Sequence, residues 1–152
     1  RALIKKITES FGLIVAQRKG TLTQEFNTEK YHFKIDEFHF SNALVNLLDN
    51  ANKYSTEAPE ITVKTRNEGN WYVIEISDKG MGMETDNKVR IFEKFFREET
   101  GNIHNVKGQG LGLSYVKKII ELHKGLIIVD SQKNVGSTFT IKLPMTPNHH
   151  KA

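Results

Sequence analysis

Apolar residues recur at the spacing of one helical face at Leu3, Ile7, Phe11, Ile14 and Val15, and Gly20 follows where such a helix would stop. Alternation then takes over. Thr21 to Phe26 and Tyr31 to Ile35 predict short strands on either side of the polar Asn27-Thr28-Glu29. Ser41 to Tyr54 returns to helical spacing, with Ser41 as N-cap and Leu44, Leu47, Leu48 and Ala51 as the buried stripe. Ile61 to Arg66 and Trp71 to Ser77 alternate around Asn67-Glu68-Gly69-Asn70, a hairpin signal. From about Lys79 to Gly108 the pattern dissolves into glycine and charge, and only Val89 to Phe96 is strongly apolar. That reads as a long loop with a short helix inside it, and loops of this length in a compact domain are functional or disordered. Leu113 to His123 predicts a third helix, closed by Gly125, and Leu126 to Ser131 with Ser137 to Leu143 a final hairpin. The elements assemble into one mixed sheet with three main helices on one face, an α/β two-layer sandwich.

Bulk properties narrow the possibilities. The chain has 152 residues, 38% of them hydrophobic, which suffices for the core of one domain and leaves no comfortable room for a second. No apolar run approaches a membrane span and no leader pattern opens the chain. The start at Arg1 reads as a cut boundary, and a membrane anchor in a longer parent stays open. Absence of cysteine excludes disulfides, thiolate zinc sites and cysteine nucleophiles, and suits a reducing compartment. The balance of 22 basic against 18 acidic side chains gives +4. Because the lysines are spread along the chain and form no stripe with stacking aromatics, nucleic acid is not the expected partner. An anionic small ligand fits the same charge.

Three patterns suggest what that ligand is. On the second helix Asn42, Asn46, Asn50 and Lys53 share the face opposite the leucines. A solvated face would favour Glu, Lys and Gln, because Asn competes with the helix backbone for hydrogen bonds, so this stripe has a stability cost and invites a ligand. Asp78-Lys79-Gly80-Met81-Gly82-Met83 follows directly on a strand. It can be a plain turn, or a carboxylate for an exocyclic amine beside glycines that let backbone approach a flat ring. Gly108-Gln109-Gly110-Leu111-Gly112-Leu113 opens the third helix, where free N–H groups and the helix dipole favour phosphate. The run lacks the Gly-Lys-Ser/Thr ending of a P-loop, and it follows a loop where a Rossmann fingerprint would follow a strand.

Taken in order, these segments resemble the catalytic and ATP-binding domain of sensor histidine kinases, within the wider Bergerat-fold family of type II topoisomerase, heat-shock chaperone and mismatch-repair ATPases. Asn46-Leu47-Leu48-Asp49-Asn50-Ala51-Asn52-Lys53-Tyr54 is similar to that family's N box, and Asp78 to Met83 to its first glycine box. Ile91-Phe92-Glu93-Lys94-Phe95-Phe96-Arg97 resembles the F box, with Phe96 where Tyr is common. Gly108 to Leu113 resembles the second glycine box, and Gly136-Ser137-Thr138 the last small motif. The resemblance covers nearly the whole chain.

It implies a domain over residues 1–144 with an ATP lid at about 83–107, followed by a flexible tail over 145–152. It also implies ATP and Mg²⁺ as cofactors. Asp78 would bind the adenine amine, with Gly80 and Gly82 lining the ring and Thr138 supporting the pocket. Asn50 would hold Mg²⁺, and Asn46, Lys53 and Tyr54 would face the phosphates. Gly108, Gly110 and Gly112, with Gln109 and Leu111 between them, would contact the phosphates, chiefly through backbone. Asn46, Lys53 and Arg97 are the expected catalytic set, Arg97 stabilising charge on the γ-phosphate. Phe92, Phe95 and Phe96 would anchor the lid or dock it on a partner.

ATP-hydrolysing relatives carry a Glu four residues before the metal-binding Asn; this chain has Asn46 there, and an amide cannot take a proton from water. That favours transfer to a protein over hydrolysis, and disfavours an ATPase or a protein-serine kinase. A regulatory nucleotide-binding module is the other alternative. None of the six histidines suits an acceptor: His32, His39, His104, His123, His149 and His150 read as structural or solvated. The expected partner is therefore a histidine-bearing dimerisation domain of a parent kinase, with a response regulator downstream. The isolated domain is expected to be monomeric and cytoplasmic, its parent in the inner membrane or not.

Overall fold

A computed structural model describes residues 2–27, 35–53, 58–80, 111–132 and 135–144. Among the described residues eight elements follow one another: α1 (Ala2–Gln17), β1 (Thr21–Asn27), α2 (Glu37–Lys53), β2 (Glu60–Glu68), β3 (Trp71–Asp78), α3 (Leu111–Leu122), β4 (Leu126–Gln132) and β5 (Gly136–Pro144). The strands form one five-stranded sheet in the order β1-β2-β3-β5-β4. β1 pairs with β2 in parallel, and the other three pairings are antiparallel, so the sheet is mixed as expected.

Period-two alternation sets the two faces of the sheet. Ile61 and Val63 on β2, Tyr72, Ile74 and Ile76 on β3, and Phe139, Ile141 and Leu143 on β5 point to one side, where they are almost fully buried. The helices cover that side with Ile4, Phe11 and Val15 from α1, Phe40, Leu44, Leu47 and Leu48 from α2, and Val116, Ile119 and Ile120 from α3. This is the two-layer sandwich. The opposite side of the sheet is largely polar, with Leu126 and Ile128 of β4 exposed on it, and Val73 alone among its described residues is a fully buried hydrophobic. Register places Val73 between Arg66 and Lys142. These two cations are tied down by Glu75 (2.6 Å from Arg66) and Glu68 (2.9 Å from Lys142), so the aliphatic stems of this ion-pair raft can lie over the valine.

The second helix starts a turn earlier than Ser41. Asp36 is its N-cap: its carbonyl accepts from Phe40 N–H at 2.8 Å and its Oδ1 from His39 N–H at 3.1 Å. Ser41 instead lines a groove of about 520 Å³ between α1 and α2, with Ile7, Phe11 and Val45. The third helix likewise begins at Leu111, two residues before the expected start. The expected strand over Tyr31–Ile35 (apart from Ile35), the lid, its short helix and the tail lie outside the described residues.

Candidate functional site

Asp78 ends β3 on the helical side of the sheet, in register with Ile61 on one neighbour and Ser137 on the other. Burial pushes its carboxyl up to about 6 from an ordinary 3.8, against the opposing pull of N–H groups donated by Gly80 and Ser137. This is a half-buried carboxylate, partly screened from water at the mouth of the sandwich. What allows β5 so close is Gly136, whose φ is +146°; a Cβ there would come within 2.1 Å of the Asp78 carbonyl oxygen. Behind the carboxylate lies a hydroxyl pair, Ser131 and Ser137, 2.8 Å apart and both buried.

The same strand parity corrects one expectation. Thr138, expected to support the adenine pocket, sits on the other face, with its hydroxyl 3.0 Å from Ser77. Ser137, part of the same motif but given no role in it, shares the face with Asp78. Only the parity of the strand reveals this, since the two residues are chemically alike.

On α2, Asn42, Asn46, Asn50 and Lys53 are all partly exposed, while Leu44, Leu47, Leu48 and Ala51 are buried, as the helical spacing requires. The N-terminus of α3 adjoins this stripe: a Cβ added at Gly112 would lie 3.6 Å from Asn46 Oδ1. The N–H groups of a helix start thus stand beside an amide, an arrangement suited to phosphate. Lys53 is paired with Asp49 at 3.0 Å, one turn back on the same helix. Gly80 follows Asp78 and is partly exposed. Tyr54, Gly82, Phe92, Phe95, Phe96, Arg97, Gly108, Gln109 and Gly110 lie outside the described residues, as does the side chain of Leu111. Of the histidines, His39 pairs with Asp36 at 3.0 Å, and His123 bridges α3 to α2; the other four lie outside the described residues.

The family model described as histidine kinase-, DNA gyrase B- and HSP90-like ATPase matches residues 35–147. The chain belongs to this ATPase family. Among curated members, it is 42% identical over 148 residues to the sensor protein RprX of Bacteroides fragilis, covering 96% of this chain and 28% of that one. It is 36% identical over 113 residues to the sensor-like histidine kinase SenX3 of Mycolicibacterium smegmatis, covering 74% and 29% respectively. The chain thus spans less than a third of the length of these relatives. Among solved structures of the family, the catalytic domain of histidine kinase ThkA superposes with a TM-score of 0.81 at 26% identity, covering 96% of this chain and 94% of that one. The mycobacterial sensor histidine kinase MprB does so with a TM-score of 0.76 at 25% identity, covering 95% and 97%. The match to full domains agrees with the two-layer architecture. Among the described residues no helix is long and apolar enough to cross a membrane.

Proposed function

We propose that this chain is the ATP-binding catalytic domain of a two-component sensor histidine kinase, transferring the γ-phosphate of ATP to a histidine on a separate helical dimerisation domain. The observation that carries the reading is the half-buried Asp78 carboxylate, aligned by Gly80 and Ser137 N–H groups and approached closely only because residue 136 is glycine. A desolvated carboxylate that accepts from an exocyclic amine discriminates adenine from guanine, whose corresponding position is a carbonyl.

The phosphates would then extend between the asparagine stripe of α2 and the start of α3. Asn50 offers a neutral amide oxygen, which suits an ion that takes most of its shell from phosphate and water. Among the described residues no cluster of three or more His, Asp or Glu could cage a metal alone, so the donor chemistry fits Mg²⁺ arriving with the nucleotide. Bound there, Mg²⁺ would neutralise phosphate charge during transfer. Lys53 would exchange its contact with Asp49 for a phosphate oxygen, and Gly112 would leave room for the α3 backbone to approach. Arg97, Tyr54 and the glycines 108 and 110 are assigned their phosphate contacts by the family pattern. Asn46 cannot act as a base for water, so hydrolysis without an acceptor should be slow.

The test is calorimetric titration of the native chain with ATP, with and without Mg²⁺, beside Asp78→Asn and Asn50→Ala. The reading expects Asp78→Asn to weaken binding under both conditions and Asn50→Ala to remove only the Mg²⁺ dependence. A native chain that binds no nucleotide sinks it. Phosphoryl transfer to an added histidine-bearing helical domain separates the kinase from a regulatory binding module.

A further inference from the structure

The last turn of α2 carries Asn50 and Lys53. Side chains at a helix end lose their aim first, because the final carbonyls lack intrahelical partners and the turn frays. Here the turn is held from outside. Arg18, just past the end of α1, donates from Nη1 to the backbone carbonyl of Asn52 and, at 3.1 Å, to Asn52 Oδ1. Asn52 is buried, and an amide in that position needs such a partner. The guanidinium also brings positive charge to the negative end of the α2 dipole.

The turn that carries Arg18 grips the chain beyond the helix as well. Thr21 N–H donates to the Pro59 carbonyl at 2.7 Å. Gly20 packs against Pro59 so closely that a Cβ would meet its oxygen at 2.3 Å, which no other residue could tolerate in place. The short connection from α1 to β1 therefore fixes two points, Asn52 at the end of α2 and Pro59 at the entry to β2. Between the first of these and the asparagine stripe there is less than one helical turn.

We propose that Arg18 is a positioning residue for the metal-facing end of the nucleotide site. It touches neither nucleotide nor metal; by clamping Asn52 it keeps the final turn of α2 wound, and with it the amide of Asn50 and the amine of Lys53. The proposal rests on the assignment of Asn50 to Mg²⁺. It predicts a selective defect: adenine recognition at Asp78, on a different element, should be untouched.

The experiment is calorimetry of ATP binding in Mg²⁺ and in excess chelator, together with thermal melts, for the native chain, Arg18→Ala, Arg18→Lys and Asn52→Ala. Arg18→Ala should lower affinity in Mg²⁺ about fivefold and leave affinity in chelator within about twofold, the size expected of a lost charge-assisted helix-end contact. Arg18→Lys, which keeps a cation able to donate to the Asn52 carbonyl, should recover part of the loss, and Asn52→Ala should show a smaller defect of the same selectivity. Equal losses in Mg²⁺ and chelator, or no loss in either beside a lowered melting temperature, would overturn the proposal by making Arg18 purely structural. A native chain indifferent to Mg²⁺ would overturn the Asn50 assignment and this proposal together, whereas a responsive native chain with an equally responsive Arg18→Ala overturns this proposal alone.

Discussion

Burial that serves recognition at Asp78 works against the empty fold. Its carboxyl titrates at about 6 in the folded chain and near 3.8 when ordinarily solvated, so between these values the folded state binds more protons than the unfolded one. The contribution of this group to stability must therefore fall as pH rises from about 4 to about 6 and stay reduced above that. The rise from 3.8 to about 6 is worth at most about 3 kcal/mol. Asp78→Asn should raise the melting temperature of the nucleotide-free chain by several degrees at pH 8, with the gain gone below about pH 4, while its affinity for ATP falls at least tenfold. Melts across that range check the sign; a variant that is less stable than the native chain at pH 8 would refute the argument. The aspartate itself was legible in the sequence, because a carboxylate at a strand end before two glycines is a recognisable pattern. Its partner was not. Ser137 and Thr138 differ only in strand parity, and a shift of one residue moves a side chain to the other face.

Among the elements, α2 owes its starting point to a residue far along the chain. His123 accepts from the Asp36 N–H at Nε2 (2.9 Å), so its proton is on Nδ1, which donates to the Ile119 carbonyl at 2.8 Å. The ring also meets Phe40 edge-on, with centroids 5.9 Å apart. One neutral imidazole thus joins the end of α3 to the cap of α2. Asp36→Ala, which removes the cap oxygen but keeps the N–H, and His123→Ala, which leaves that N–H without its acceptor, should each cost about 1 kcal/mol. Urea unfolding of the two variants measures this, and a His123→Ala as stable as the native chain would show that the joint contributes nothing. The joint also explains why the sequence placed the helix start at Ser41. Both Asp36 and Ser41 are good caps by residue type, and the choice between them is made by a contact spanning 87 positions, which no local window contains. The strands were easier, since alternation alone marks both the buried face and its limits to within a residue or two.

At the scale of the whole molecule, the order β1-β2-β3-β5-β4 separates local from distant pairings. β2 with β3, and β4 with β5, close as neighbours in sequence. Among the described residues β1 sits at an edge, and its partner there, β2, is reached after the chain has passed through α2. Parallel pairing across an intervening helix closes a long loop and is slow to form compared with a hairpin. This edge strand is therefore expected to be the last to zip and the first to open. In native-state hydrogen exchange, amides of β1 should exchange well before those of central β3. Should β1 prove as protected as β3, the sheet opens as one unit. If it opens first, its departure takes the Thr21 hold on Pro59 with it, and the phosphate end of the site would melt in a molecule whose adenine carboxylate is still in place.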